Sequence, residues 1–128
     1  MHRRIVHAAA VALAAAVAVA ALAVAAAAHP QTTPTLVGTV GKNNAYKITL
    51  TSGGKVVKTL KSGTYRLVIH DDSTIHNYEL DGPHGKSWKF TNVGFKGTKT
   101  FTLKFAAGKY KAYCSPHESS MFQRFTVS

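Results

Sequence analysis

From residue 46 onward the chain alternates apolar and polar side chains with period two. Tyr46, Ile48 and Leu50 stand against Lys47, Thr49 and Thr51; Tyr65, Leu67 and Ile69 against Arg66 and His70; Phe101, Leu103 and Phe105 against Thr102 and Lys104. A two-residue repeat sends successive side chains to opposite faces of an extended backbone, so each run reads as a strand with one face on a core. Turn-forming clusters punctuate the runs: GKNN at 41, SGG at 52, KSG at 61, DGPHG at 81, FKG at 95 and AAG at 106. No stretch beyond residue 28 shows helical spacing of useful length. The pattern predicts an all-β domain of short antiparallel strands, folded as a sandwich or barrel.

The start of the chain is different. Residues 1–28 (MHRRIVHAAAVALAAAVAVAALAVAAAA) open with Arg3 and Arg4 and continue as an uncharged Ala/Val/Leu run ending in small residues. This is the plan of a secretory signal peptide, and Ala26 and Ala28 satisfy an A-x-A cleavage pattern. An apolar run of ~20 residues is long enough to span a bilayer as an uncleaved anchor. Alanine is only weakly apolar, so removal is expected, with no stable membrane insertion afterwards. The expected organisation is a signal peptide at 1–28, a short extension at 29–35 and one domain at 36–128.

Export frames both the charge and the cysteine. The chain has 16 Lys and Arg against 5 Asp and Glu, a net charge of +11 that falls to +9 without Arg3 and Arg4. Such a balance steers anionic partners toward the surface. Nucleic acid is not expected, because the protein is read as exported and its lysines occur singly along strands. The expected partners are proteins with acidic docking surfaces, met by a monomer in the periplasm, cell envelope or exterior. Cys114 is the only cysteine, so in an oxidising compartment it is a buried small residue, an intermolecular disulfide or a ligand.

Alternation also tells which way the chemically interesting side chains point. In GKYKAYC, Tyr110, Ala112 and Cys114 share a parity, which faces Cys114 inward at the end of its strand. In HNYELD, Asn77, Glu79 and Asp81 take the polar parity, and His76 falls with Tyr78 and Leu80 at the start of a strand. His70 and His84 read as surface histidines. The stretch after Cys114 adds His117 and Met121. Two imidazoles, a thiolate and a weak thioether are the donor set of a trigonal blue-copper site, since soft sulfur favours Cu(I) and imidazole accepts both oxidation states. A bound ion would deprotonate the thiol. Asn77, beside His76, is placed to tie two ligand segments together. Pro116 lacks a backbone N–H, so it cannot donate to the sulfur.

HN opening a strand, followed by YCSPHESSM before a final FTVS strand, resembles the cupredoxins of the plastocyanin, pseudoazurin and amicyanin type. The resemblance runs from about Leu36 to Ser128 and is strongest for small exported bacterial members. It implies a Greek-key β-sandwich or barrel of about seven to eight strands and one copper ion. It also implies His76, Cys114, His117 and Met121 as ligands. Three residues separate His117 from Met121, an interval between those of plastocyanins and amicyanins. The expected function is one-electron transport by Cu(I)/Cu(II) cycling. Electrons would leave through His117 and an apolar patch around Pro116, with Pro83 and Phe95 as neighbours. A copper-binding or delivery protein is the alternative. An enzyme is not expected: one cysteine cannot build a thiolate-bridged dinuclear centre, and the histidine pairs of a multicopper oxidase are missing.

Overall fold

A computed structural model describes residues 20–128, which belong to two units, one ending at Pro30 and one spanning Gln31–Ser128. Most of the expected signal peptide lies outside the described residues, and residues 20–30 form no regular element. In the second unit ten strands follow one another: β1 (Thr35–Val40), β2 (Ile48–Ser52), β3 (Lys55–Val56), β4 (Thr59–Leu60), β5 (Gly63–Asp71), β6 (Glu79–Asp81), β7 (Ser87–Lys89), β8 (Gly97–Phe105), β9 (Gly108–Tyr113) and β10 (Phe122–Val127). They form two five-stranded sheets, with orders β3-β2-β1-β5-β8 and β4-β10-β9-β6-β7. All six turn clusters lie at or between strand ends. At Gly53 and Gly54, φ values of 55° and 78° give the two-residue hairpin between β2 and β3, a turn that needs positive φ at both positions.

Two expectations change. The strands among the described residues number ten rather than seven to eight, because β3, β4 and β7 have only two or three residues. Pieces that short leave no periodic run to read. The sheets are also mixed rather than antiparallel, since β1 lies parallel to β5 and β4 parallel to β10. Alternation reports which face a side chain takes and is silent on strand direction. Among the described residues, no helix is long and apolar enough to cross a membrane.

The core fills the space between the sheets. Leu36, Leu67 and Ile69 reach in from the first, Leu80, Ala112 and Phe125 from the second, all buried. An aromatic layer anchors one end: Tyr110 stacks on Phe125 at 5.2 Å and meets Phe105 at 5.2 Å. A cavity there would be expensive, on the order of 3–5 kcal/mol for Phe→Ala. At the opposite end of β9, Cys114 follows Tyr113 and opens the connection to β10. This end of the sandwich holds the candidate site.

Candidate metal centre

Two segments of different character meet here. The first, between β5 and β6, carries His76, which is fully buried. It precedes the strand rather than opening it, because β6 begins only at Glu79. A turn holds it instead, in which the His76 N–H donates to the Ser73 carbonyl at 3.4 Å. Tyr78 is fixed next to it, its N–H donating to Thr91 Oγ1 at 2.8 Å and its carbonyl accepting from Phe90 N–H at 3.0 Å. The second segment, Cys114 to Met121, is a closed loop. Cys114 N–H donates to the Met121 carbonyl at 3.1 Å, and the His117 and Met121 N–H groups donate to the Cys114 and His117 carbonyls at 3.0 and 2.8 Å. Cys114 and Met121 are buried, at 0% and 1% exposure, whereas His117 is half-buried and Ser115 and Pro116 are exposed.

The chemically active atoms converge. His76 Nδ1 lies 3.1 Å from His117 Nδ1, and Cys114 Sγ lies 3.6 Å from each. The ligand atoms of the three residues fall within 4.8 Å of one another. Burial pushes the Cys114 thiol above its ordinary range; the backbone N–H groups of Asn77 and His117 pull the other way and do not offset it. Burial, then the neighbouring His117, hold the His76 imidazole below its ordinary value against the opposing pull of Asp71. At neutral pH the buried imidazole is therefore uncharged, the form in which one ring nitrogen carries a lone pair. A largely buried pocket with one soft sulfur and two imidazole nitrogens suits copper, and the His, Cys, His, Met group could hold a single copper ion.

Asn77 joins the two segments. Its Oδ1 accepts the Ser115 N–H at 2.8 Å, while its Nδ2 donates to Ser115 Oγ at 3.0 Å and to Glu79 Oε1 at 2.8 Å. Although the polar parity would turn them to solvent, Asn77 and Glu79 are buried. Tyr113, also of outward parity, is 8% exposed and donates to Glu79 Oε2 at 2.9 Å. Burial alone would raise the Glu79 carboxyl, but hydrogen bonds from Tyr113, Lys89 and Asn77 together hold it below the ordinary value. Asp71 is buried as well, its Oδ1 accepting the Ser73 N–H at 3.3 Å. The chain thus buries two of its five acids at this end. Their scarcity in so basic a sequence is the signal that could have marked them.

No protein-family model matches the chain, and no curated protein does. Solved structures do match. A crystal structure of a histidine-to-methionine variant of rusticyanin superposes with a TM-score of 0.55 at 16% identity, over 78% of this chain and 80% of that one. A methionine-to-glutamine variant of rusticyanin gives 0.53 at 15% identity, over 73% and 76%. Reduced rusticyanin gives 0.52 at 16% identity, over 78% and 82%. The fold is that of a cupredoxin.

Within that cupredoxin fold the remaining site expectations can be placed. Phe95 is at the site's end, where the neighbouring Gly94 N–H donates to the Thr74 carbonyl at 2.8 Å. Pro83 is not: it packs against Gly108, at the far end of β9 from Cys114. His84 is exposed in the β6–β7 turn. His70 accepts or donates at 2.9 Å to Thr98 Oγ1 on the outer face of the first sheet. Tyr46 is a surprise. Period two places it inward with Ile48 and Leu50, yet it is 59% exposed and its ring lies against both imidazoles.

Proposed function

We propose that the protein is an exported type 1 copper protein that carries single electrons, with His76, Cys114, His117 and Met121 as ligands to one ion. The observation that carries this reading is the convergence of one thiol sulfur and two imidazole nitrogens within 4.8 Å, with His76 and Cys114 buried and His117 half-buried. Copper bound there would supply reversible one-electron chemistry. The chain's own part is to hold the donors still: His76 is fixed by the turn at Ser73, Cys114 by the end of β9, and the two segments by Asn77. A frame that does not rearrange keeps the cost of changing the ion's charge low. Met121, buried at the other end of the loop that begins at Cys114 and joined to it by the Cys114 N–H bond to its carbonyl, is the thioether donor of the set.

His117 is the half-buried member of the cluster, so the route to a partner runs through its ring, with exposed Pro116 beside it. The acidic partner expected from the net charge has a candidate seat. Lys58, Lys109, Lys111 and Arg124, against the single acid Asp81, line a groove of about 480 Å³ on the second sheet. Arg124 stands directly opposite Lys111 across the β9–β10 pair, and Glu118 offsets part of that charge through an ion pair of 2.6 Å with Lys111, which leaves the groove net basic. From Lys111 to Cys114 is three residues, about 10 Å along a strand.

Loading the protein with Cu(II) and recording optical and EPR spectra tests the reading. An intense charge-transfer colour with narrow copper hyperfine splitting is expected. Cys114→Ser should lose the colour and most of the affinity; a variant that kept both would overturn the assignment, as would a pale, ordinary cupric spectrum from the unmodified chain.

A further inference from the structure

Tyr46 stands edge-on to both histidines. Its ring centroid lies 4.9 Å from that of His76 at an interplanar angle of 80°, and 4.8 Å from that of His117 at 72°. The two imidazoles are themselves 4.9 Å apart at 72°, so three rings close an edge-to-face triangle, the arrangement aromatic quadrupoles favour. Two of its members are donors in the cluster. The third belongs to Tyr46, a residue that is 59% exposed.

The backbone delivers the ring deliberately. Gly41, at φ 69°, sits so close to the site that a Cβ there would fall 2.5 Å from Ser73 Cβ and 2.9 Å from His76 Cδ2. From this point the chain makes a tight loop. The Gly41 N–H donates to the Lys47 carbonyl at 3.1 Å, and the Asn44 and Ala45 N–H groups to the Gly41 and Lys42 carbonyls at 2.9 and 3.1 Å. Asn43 and Asn44 hold φ of 55° and 56°, a left-handed conformation that asparagine tolerates better than most residues. The loop is pinned against His76 at its base and lays Tyr46 across the opening between the two imidazoles.

We propose that Tyr46 is the cap of the metal centre, the side chain that keeps water, small anions and thiol reagents from the cluster on its solvent side. His76 and Cys114 are fully buried while His117 is only half-buried, and Tyr46 covers the edge where His76 meets His117. The ring does the work and the hydroxyl does not, since no hydrogen bond from Tyr46 reaches the site among the described residues. The inference rests on the copper reading for what the cap protects, but part of its test does not.

Cys114 is the chain's only cysteine, so the rate of iodoacetamide alkylation of the metal-free protein reports access to the cluster alone. Reaction of a buried thiol follows the opening equilibrium of whatever covers it. An edge-on aromatic contact of this kind corresponds to about a tenfold change in that equilibrium. Tyr46→Ala should therefore be alkylated about tenfold faster, and Tyr46→Phe at the unmodified chain's rate. Rates unchanged by low urea show that the thiol is reached by local opening and not by unfolding. Tyr46→Leu, which keeps a smaller apolar side chain over the histidines, covers the case in which the alanine variant folds poorly, and it should react at an intermediate rate. In the copper-loaded protein, azide should perturb the spectrum of Tyr46→Ala and leave that of Tyr46→Phe unaltered. Equal alkylation of the alanine variant and the unmodified chain overturns the cap, and so does a phenylalanine variant as open as alanine. If the chain takes up no copper while the alkylation rates separate as expected, the cap stands and the copper reading alone falls.

Discussion

The outer faces of the two sheets obey different rules. On β8 of the first sheet, Thr98, Thr100, Thr102 and Lys104 are exposed while Phe101 and Leu103 between them are half-buried, as a strand with one wet face should be. On the second sheet beside the candidate site, Asn77, Glu79 and Tyr113 carry the outward parity and are buried all the same. They bond to one another and to Lys89, whose ammonium lies 3.2 Å from Glu79. The polar residues on that face are a brace, which fixes the turn bearing His76 to the loop bearing His117 from behind. Where both faces of a sheet are occupied, the sequence has been shaped by the site as well as by the core.

Substitutions in the two faces test this contrast. Asn77→Ala removes the amide that ties the two segments together through Ser115, and should cost about 2–4 kcal/mol in urea unfolding, because buried partners lose their bonds. The same change should weaken copper binding about 10- to 100-fold by competition titration. If affinity were untouched, the brace would serve the fold alone. Glu79→Gln comes next, at about 2 kcal/mol near neutral pH, with a distinctive pH dependence. The folded Glu79 carboxyl is held below its ordinary value of 4.5, so the unfolded chain binds more protons in that range. Its contribution is fully present above that ordinary value and is lost as pH falls through the depressed one. Unfolding free energy measured across this window should slope upward with pH in the unmodified chain and less so in Glu79→Gln; identical slopes would remove Glu79 from the brace. Tyr113→Phe deletes one hydroxyl donor and should cost about 1 kcal/mol, seen as a lower unfolding midpoint. On the first sheet, His70→Ala should stay within about 0.5 kcal/mol and leave the copper spectrum unchanged.

Much of this was legible in advance, for reasons visible in particular residues. Leu67, Ile69, Tyr110, Ala112 and Cys114 point inward as their parity requires, because a strand has only two faces. The turn clusters fell between strands because glycine and asparagine supply the backbone angles that turns need. The parallel pairing of β1 with β5 was not legible, since it joins segments separated by three intervening strands. Nor was the burial of Glu79 and Tyr113, which depends on Lys89 and Asn77 arriving from elsewhere. Tyr46 misled for a related reason: it lies just outside β2, where the backbone has left the pleat and parity no longer fixes direction.

The position of β8 has a consequence beyond the site. It is the longest free border of the first sheet, and a bare border of nine residues invites adhesion between molecules. Lys99 falls on the inward parity of this strand, its ammonium 4.4 Å over the Phe95 ring, and Lys104 projects from the other side. Zipping two such borders together would trap amine charges in a dehydrated seam, a strong deterrent. The lysines that dress this rim therefore do colloid chemistry as well as fold chemistry, since their charges oppose the pairing of one bare border with another.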